Sequence, residues 1–263
     1  MHAANRAAWD EAAERYEGWF DEAVELIQSG GSNLFGVEHD LLGDLRAGGG
    51  TNRAIHLQCA GGRDTLSLWT AGAREVVGVD FSPRMLDLAR RLSDAVGAPA
   101  TWIEADVVET PHELDGTGDL VYTGRGSLIW LANLDAWAAA VRRLLAPGGR
   151  FVLFEGHPAE WLFDADADGR LIATDYDYFG GVEASRGWAP EYIDRLSIPD
   201  GDQHWKFARA WTLGEIVTAL AGAGLRIERL EEYPVDWWAG HRDLRPEDRG
   251  RIPLSFGLVA RPG

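Results

Sequence analysis

The sequence is short of several things, and each shortage excludes something. Of 263 residues only Cys59 is a cysteine, so neither an internal disulfide nor a four-cysteine zinc site can form. Lysine is equally scarce. Lys206 stands alone, which argues against a Schiff-base lysine anywhere else in the chain. Basic residues as a whole are outnumbered, 25 Lys+Arg against 42 Asp+Glu, for a formal net charge of −17. So acidic a chain repels phosphate backbones and carries no basic patch to offset this, so nucleic-acid binding is set aside. No apolar run reaches the roughly 20 residues of a membrane span, and the opening MHAANRAAWDEAAERYEGWF lacks the layout of a secretion signal. A cytoplasmic protein without a membrane partner is expected. The G-x-G-x-x-G spacing is missing as well, which counts against a nicotinamide-dependent oxidoreductase. There is no internal repeat and no low-complexity segment, and no metal site is expected.

What remains is a globular chain, 46% hydrophobic and 10% aromatic. Residues 5–28 read as one amphipathic helix, with Trp9, Ala12, Ala13, Tyr16, Phe20, Val24 and Ile27 on one stripe. A short helix over Glu38–Leu45 follows, before three glycines at Gly48, Gly49 and Gly50. From Ala54 the rhythm becomes strand, turn, helix. Strands are expected at Ala54–Gln58, Glu75–Asp80, Thr101–Glu104, Asp119–Thr123 and Arg150–Glu155, and helices at Asp64–Ala71, Pro83–Val96 and Leu134–Leu145. Ser82 is suited to cap the second of these helices. Such alternation implies βαβ crossovers and an α/β fold with a mostly parallel sheet covered on both faces. The rhythm lapses over 158–210, a stretch rich in Asp, Gly, Trp and Tyr, then resumes with helix Thr212–Ala223 and strands Leu225–Glu232 and Leu254–Ala260. The expected division is therefore a helical cap (1–53), a ligand-binding core (54–157), an acidic aromatic insertion acting as a lid (158–210) and the C-terminal part of the core (211–263).

In open α/β sheets ligands sit beyond the carboxyl ends of the strands, at the switch point in strand order. After the first strand comes the small-residue loop Cys59-Ala60-Gly61-Gly62, running into a helix N-terminus with free N–H groups. Asp80, ending the second strand, can accept both hydroxyls of a ribose. Asp106, after the third strand, can accept an adenine amino hydrogen. Thr123 and Gly124 form a tight turn beside the same cleft.

The segments IHLQCAGGRDTLSL, VVGVDFSPRMLDLAR, IEADV, LVYTGRGSLIWL and LLAPGGRFVLFEGHP, in this order, resemble the class I S-adenosylmethionine-dependent methyltransferases. The resemblance is strong over about Ala54–Glu155. It implies a Rossmann-like sheet of seven strands with the last antiparallel, and S-adenosylmethionine as cofactor. At matching positions it implies that Ala60, Gly61 and Gly62 bracket the methionine part, that Asp80 holds the ribose, and that Phe81 and Val107 flank the adenine. It further implies that Asp106 meets the adenine amino group and that Thr123 and Gly124 lie near the sulfonium. His56, Gln58 and Ala60 depart from the common acidic and glycine pattern, as in a small-molecule branch with a His-x-Gln-Cys loop. Gln58 is then expected to reach the cofactor's ammonium group.

Methyl transfer needs alignment above all, and a base only where the acceptor is protonated. Histidine suits that task at neutral pH. His157 is the first candidate, followed by His204 and His241, although each also has a plainer reading as a structural hydrogen-bonder. Cys59 and His56 read as buried structural residues. Tyr16, Trp19, Trp161, Tyr178, Trp205 and Trp237 are the expected acceptor contacts. Aromatic rings beside acidic residues suggest an apolar or cationic acceptor. The expected activity is methyl transfer to oxygen or nitrogen of a small organic molecule. The alternative is a non-catalytic cofactor-binding or regulatory module, and a homodimer is left open.

Overall fold

The computed structural model describes residues 1–194 and 196–263. Its centre is a seven-stranded sheet. Strands β1 (Arg53–Leu57), β2 (Glu75–Asp80), β3 (Ala100–Glu104), β4 (Gly118–Gly124) and β5 (Leu145–Gly156) run parallel. Two short ribbons follow, β6 (Phe163–Ala165) with β7 (Leu171–Ala173) and β8 (Glu183–Ser185) with β9 (Lys206–Ala208). Strands β10 (Leu225–Tyr233) and β11 (Ser255–Pro262) complete the main sheet, in the order β10-β11-β5-β4-β1-β2-β3. Only β11 is antiparallel to its neighbours β5 and β10, as expected of the last strand. The order reverses between β1 and β4, which opens a crevice above their carboxyl ends.

Helices α1 (His2–Gly18), α2 (Phe20–Gln28), α3 (Gly36–Leu42), α4 (Arg63–Thr70), α5 (Pro83–Val96), α6 (Leu134–Leu144), α7 (Leu213–Gly222) and α8 (Pro246–Arg249) make up the rest. Alternation along each strand explains the two helical layers. Ile55 and Leu57 of β1 join Trp137, Val141, Ile216 and Leu220 of α6 and α7, whereas Ala54 joins the other core with Ile27, Leu42, Leu66 and Leu92 of α2 to α5. Ser82 caps α5 as expected, its hydroxyl accepting from the Met85 N–H at 3.2 Å. Thr212 and Glu215 cap α7 reciprocally. Among the described residues, no helix is long and apolar enough to cross a membrane.

Four expectations change. Residues 5–28 form two helices, not one, with the chain turning at Trp19 (φ −99°, ψ 3°). Trp9, Ala12 and Ala13 bury against one cluster and Ala23 and Ile27 against another, and a single straight helix cannot serve both. The next helix stops at Leu42, because Gly43 takes φ +59°. Strand β5 begins at Leu145 rather than Arg150; Leu145 already pairs with Gly118, and Pro147-Gly148-Gly149 bulges out before pairing resumes at Arg150. Residues 158–210 are not wholly irregular, since they hold both short ribbons.

Helix α1 and this insertion are tied together across the crevice. The Asn5 side chain donates to the Phe207 carbonyl (2.9 Å) and accepts the Phe207 N–H (2.7 Å). Glu11 accepts the His204 N–H, and Glu14 accepts both the N–H and hydroxyl of Ser197. Arg15 pairs with Asp194 at 2.6 Å.

Candidate functional site

A cavity of about 390 Å³ lies over the carboxyl ends of β1, β2 and β4. Its floor is the loop after β1. There Gln58 and Ala60 take left-handed backbone angles, φ +58° and +44°, and Gly62 takes +80°. Non-glycine residues avoid this region, so their presence marks a loop held in shape by its surroundings. A side chain on Gly62 would put Cβ 2.5 Å from the Trp102 ring and 2.8 Å from Ala89. The two departures from the glycine pattern therefore keep a glycine-like path, whereas Gly61 and Gly62, packed against the Tyr16 and Trp102 rings, stay glycine.

Asp80 holds this loop. Its Oδ2 accepts the Ala60 N–H at 2.8 Å and its Oδ1 the Ser82 N–H at 2.9 Å. Burial pushes its carboxyl up to about 6, against the pull of these donors. Each oxygen keeps a further lone pair, and Asp80 lines the cavity. Gln58 Nε2 donates to the Ser127 carbonyl at 2.8 Å, while its Oε1 is buried and unpartnered. That orphaned acceptor suits a bound ammonium, and the left-handed small-residue loop leaves room for a ligand backbone. The donor set thus fits a nucleoside bearing an amino acid tail.

The residue standing over this loop, Arg125, was not anticipated. It follows Gly124 with φ +42° and is largely buried. Its guanidinium pairs with Asp64, donates to the Asn33 carbonyl at 3.1 Å and lies 3.6 Å from Glu38. Asn33 also donates to Asp64 at 2.5 Å, and the Tyr122 hydroxyl donates to Glu38. Burial raises the Glu38 carboxyl to about 7 despite the neighbouring guanidinium. For Asp64 the opposite holds: burial would raise it, but the Arg125 charge and the Asn33 amide hold it below the usual range. A sequence signal existed, because Arg125 sits immediately beyond a strand end. Asn33 and Glu38 lie outside the α/β rhythm and gave none.

Beyond the loop 124–128 a second cavity of about 190 Å³ opens under the insertion. It shares Gly126, Trp130, Tyr192, Trp237 and Trp238 with the first. The loop between them is fixed by Glu155, at the end of β5, whose carboxylate accepts the N–H groups of Gly126, Ser127 (2.8 Å), Leu128 (2.9 Å) and Gly156 (2.9 Å). Six indoles line the second cavity: Trp130, Trp161, Trp188, Trp211, Trp237 and Trp238. Glu160 and Lys206 are its other charged wall residues. Glu160 is 3% exposed, and burial pushes its carboxyl up to about 8. Burial pulls the Lys206 ammonium below its usual range, with its Nζ 4.9 Å over the Trp188 ring.

Of the expected cofactor residues, Gln58, Ala60, Gly61, Gly62, Asp80, Phe81 and Gly124 line the first cavity. Asp106, Val107 and Thr123 do not. Asp106 is engaged by His2 Nδ1 at 2.5 Å and caps the Val108 N–H, while Val107 and Thr123 are buried within the core. Of the expected acceptor residues, Tyr16, Trp19 and Trp237 line the first cavity, and Trp161 and Trp237 the second. Tyr178 and Trp205 line neither. Tyr178 accepts the Leu213 N–H at 3.4 Å, and Trp205 is 47% exposed beneath the Arg186 guanidinium.

All three candidate histidine bases stand off the cavity walls. His157 is turned towards β10, with Nε2 2.9 Å from Glu232 and Nδ1 accepting the Ala159 N–H. His204 is exposed and pairs with Glu11. His241 is buried behind Trp238, its Nε2 3.9 Å from Glu160. His56 does reach the first cavity wall, but it is buried against Tyr122, bonded to Thr65 at 2.8 Å and lowered by burial to about 4. That agrees with a structural role.

Residues 54–149 match a known family described as a methyltransferase domain. A demethylmenaquinone methyltransferase of Thermus thermophilus is 40% identical over 88 residues, which is 34% of this chain and 39% of that protein. The chain thus matches well under half the length of that curated relative. Among solved structures, an S-adenosylmethionine-dependent methyltransferase from Mesorhizobium loti superposes with a TM-score of 0.59 at 24% identity, covering 86% of this chain and 95% of the other. A glycopeptide N-methyltransferase in complex with S-adenosylmethionine gives 0.54 at 18% identity, covering 83% and 90%. At these identities the likeness establishes the fold.

Proposed function

With a methyltransferase-domain match over 54–149 and the fold of the S-adenosylmethionine-dependent enzymes as premise, we propose that the chain transfers a methyl group from S-adenosylmethionine to a small organic molecule. One observation carries this reading: two cavities meet at a shared wall over the switch point of the sheet. The first fits the cofactor and the second an acceptor. A module that only bound the cofactor would have no use for the second chamber.

In this reading Asp80 takes the ribose hydroxyls through its two spare lone pairs, and Phe81 packs beside the base. Gln58 Oε1 takes the ammonium group. Arg125, already spent on Asp64 and Glu38, keeps the cavity wall rigid rather than binding directly. The cofactor supplies an electrophilic methyl on a positively charged sulfur. The protein's contribution is to exclude water and line up the two ligands, and alignment alone can be worth about 7–11 kcal/mol. Helix α1 and the insertion, tied by Asn5, Glu11, Glu14 and Arg15, close the site from above. The acceptor atom is oxygen or nitrogen.

Calorimetry with S-adenosylmethionine, S-adenosylhomocysteine and NAD tests the reading. Micromolar binding of both sulfur compounds and none of NAD is expected. Binding of NAD alone would overturn it.

A further inference from the structure

Glu160 and Lys206, two ionisable groups on the wall of the second cavity, are not paired with each other. Glu160 Oε2 accepts from Trp238 Nε1 at 3.2 Å, while among the described residues Oε1 accepts no hydrogen bond. No cation neutralises it. The nearest basic atom, His241 Nε2, is 3.9 Å away, and burial holds that imidazole below its usual pKa. The other charged groups around Glu160 are the carboxylates Glu155 and Asp236, which disfavour its ionisation further. Lys206, the one lysine of the chain, is 8% exposed and makes no direct ion pair among the described residues, although the Asp200 carboxylate lies near enough to favour its charged form. The ammonium rests on the face of Trp188 instead. A buried acceptor without a donor and a mostly buried ammonium with no carboxylate in direct contact, on the wall of one aromatic chamber, are costly unless a ligand answers both.

The dimensions narrow that ligand. An apolar cavity of about 150 Å³ admits benzene, so a chamber of about 190 Å³ holds one substituted ring or two small fused ones. Indole walls favour a flat aromatic body. An ammonium acceptor would satisfy Glu160 but meet Lys206 across the same chamber. A hydroxyl with an anionic or carbonyl group elsewhere on the ring satisfies both.

We propose that the second cavity binds a hydroxyaryl compound bearing a carboxylate or carbonyl group, with Glu160 as the acceptor of its hydroxyl proton and Lys206 as the partner of its oxygen substituent. This deepens the methyltransferase reading and rests on it. The hydroxyl proton passes to Glu160 Oε1, and the oxygen lone pair forms the new bond to the methyl carbon. The carbon–sulfur bond breaks with its electron pair left on sulfur, which becomes a neutral thioether. Glu160 ends protonated and returns the proton to water when the product leaves. A carboxyl lifted towards neutrality by burial is matched to this exchange.

The test uses the full chain, with 4-hydroxyphenylacetate and tyramine as probes, since they differ mainly in the sign of the tail. Calorimetry in the presence of S-adenosylhomocysteine is expected to show 4-hydroxyphenylacetate binding at least tenfold tighter than tyramine. Lys206→Met should erase that preference through KM rather than kcat. Glu160→Gln should retain S-adenosylhomocysteine binding, lose at least 100-fold in kcat and flatten the pH–rate profile through neutrality. Glu160→Asp should restore part of the rate. Tyramine bound more tightly, or full turnover in Glu160→Gln, would overturn the proposal. If 4-hydroxyphenylacetate binds while S-adenosylhomocysteine does not, the fault lies with the cofactor reading of the first cavity and the methyl-transfer step falls with it. If S-adenosylhomocysteine binds and neither phenol does, the hydroxyaryl assignment alone is wrong.

Discussion

Replacing Asp80 by alanine separates a loop clamp from a ligand clamp. In the free protein the carboxylate accepts two backbone N–H groups, from Ala60 and Ser82. With ligand bound, its spare lone pairs meet the ribose hydroxyls. A hydrogen bond to a charged group is worth about 1.5–3 kcal/mol, so losing even one weakens binding by roughly 10- to 150-fold. Asp80→Asn keeps the shape and one acceptor and should lose about tenfold. Titration with S-adenosylhomocysteine reads the effect, and thermal melting of the free variants reads the loop contribution. A ligand lacking the 2′-hydroxyl should distinguish wild type from variant less than the parent compound does. The proton balance supplies an independent check. The free carboxyl titrates at about 6, and hydroxyl donors favour its ionised form, so affinity should fall as pH drops below 6. An Asp80→Ala protein that melts cooperatively and binds S-adenosylhomocysteine within twofold of wild type refutes the ribose role.

Four further outcomes follow from the same geometry. Arg125→Met leaves Asp64 and Glu38 buried without their cation and should cost about 3–5 kcal/mol in urea unfolding; a loss under 1 kcal/mol contradicts the cluster. Ala60→Gly relieves a left-handed alanine worth about 1–2 kcal/mol and returns about 0.4–1 to unfolded-chain entropy, so a net gain near 0.5–1 kcal/mol is expected. His204→Ala should leave turnover and S-adenosylhomocysteine binding unchanged, because its ring faces Glu11 at the surface; a large drop in kcat restores it as a base. Asp80, Glu38 and Glu160 are raised above their unfolded values, so between about pH 4 and 8 the native state holds protons that the unfolded chain has released. These groups therefore make stability fall as pH rises through that window, and Glu160→Gln should lessen the fall in a urea midpoint series.

The part of the fold that repeats was legible in the sequence, and the part that does not repeat was not. Strand β2 and helix α5 lie where the apolar run, Ser82 and Pro83 put them, since local capping and burial agree there. Asp80 and the loop 58–62 could be picked out because strand ends at a switch point are fixed by topology. The break at Trp19 was hidden, because the apolar stripe runs on across it and only the tertiary position of two separate cores demands the turn. Glu160 was missed for a related reason. It sits in a short turn with no periodicity, and its significance is its burial beside Trp238, a residue 78 positions away. His157 stands out by residue type and by its place just past a strand end, His204 and His241 by type and loop position, yet none of the three lines either cavity.

The most direct measurement is a crystal structure of the chain with S-adenosylhomocysteine. The account predicts the ribose at Asp80 and the sulfur at the wall shared by the two cavities, between Gly126, Trp130 and Trp237, facing the indole chamber. A ligand lying elsewhere, or one whose sulfur points away from that chamber, would contradict it.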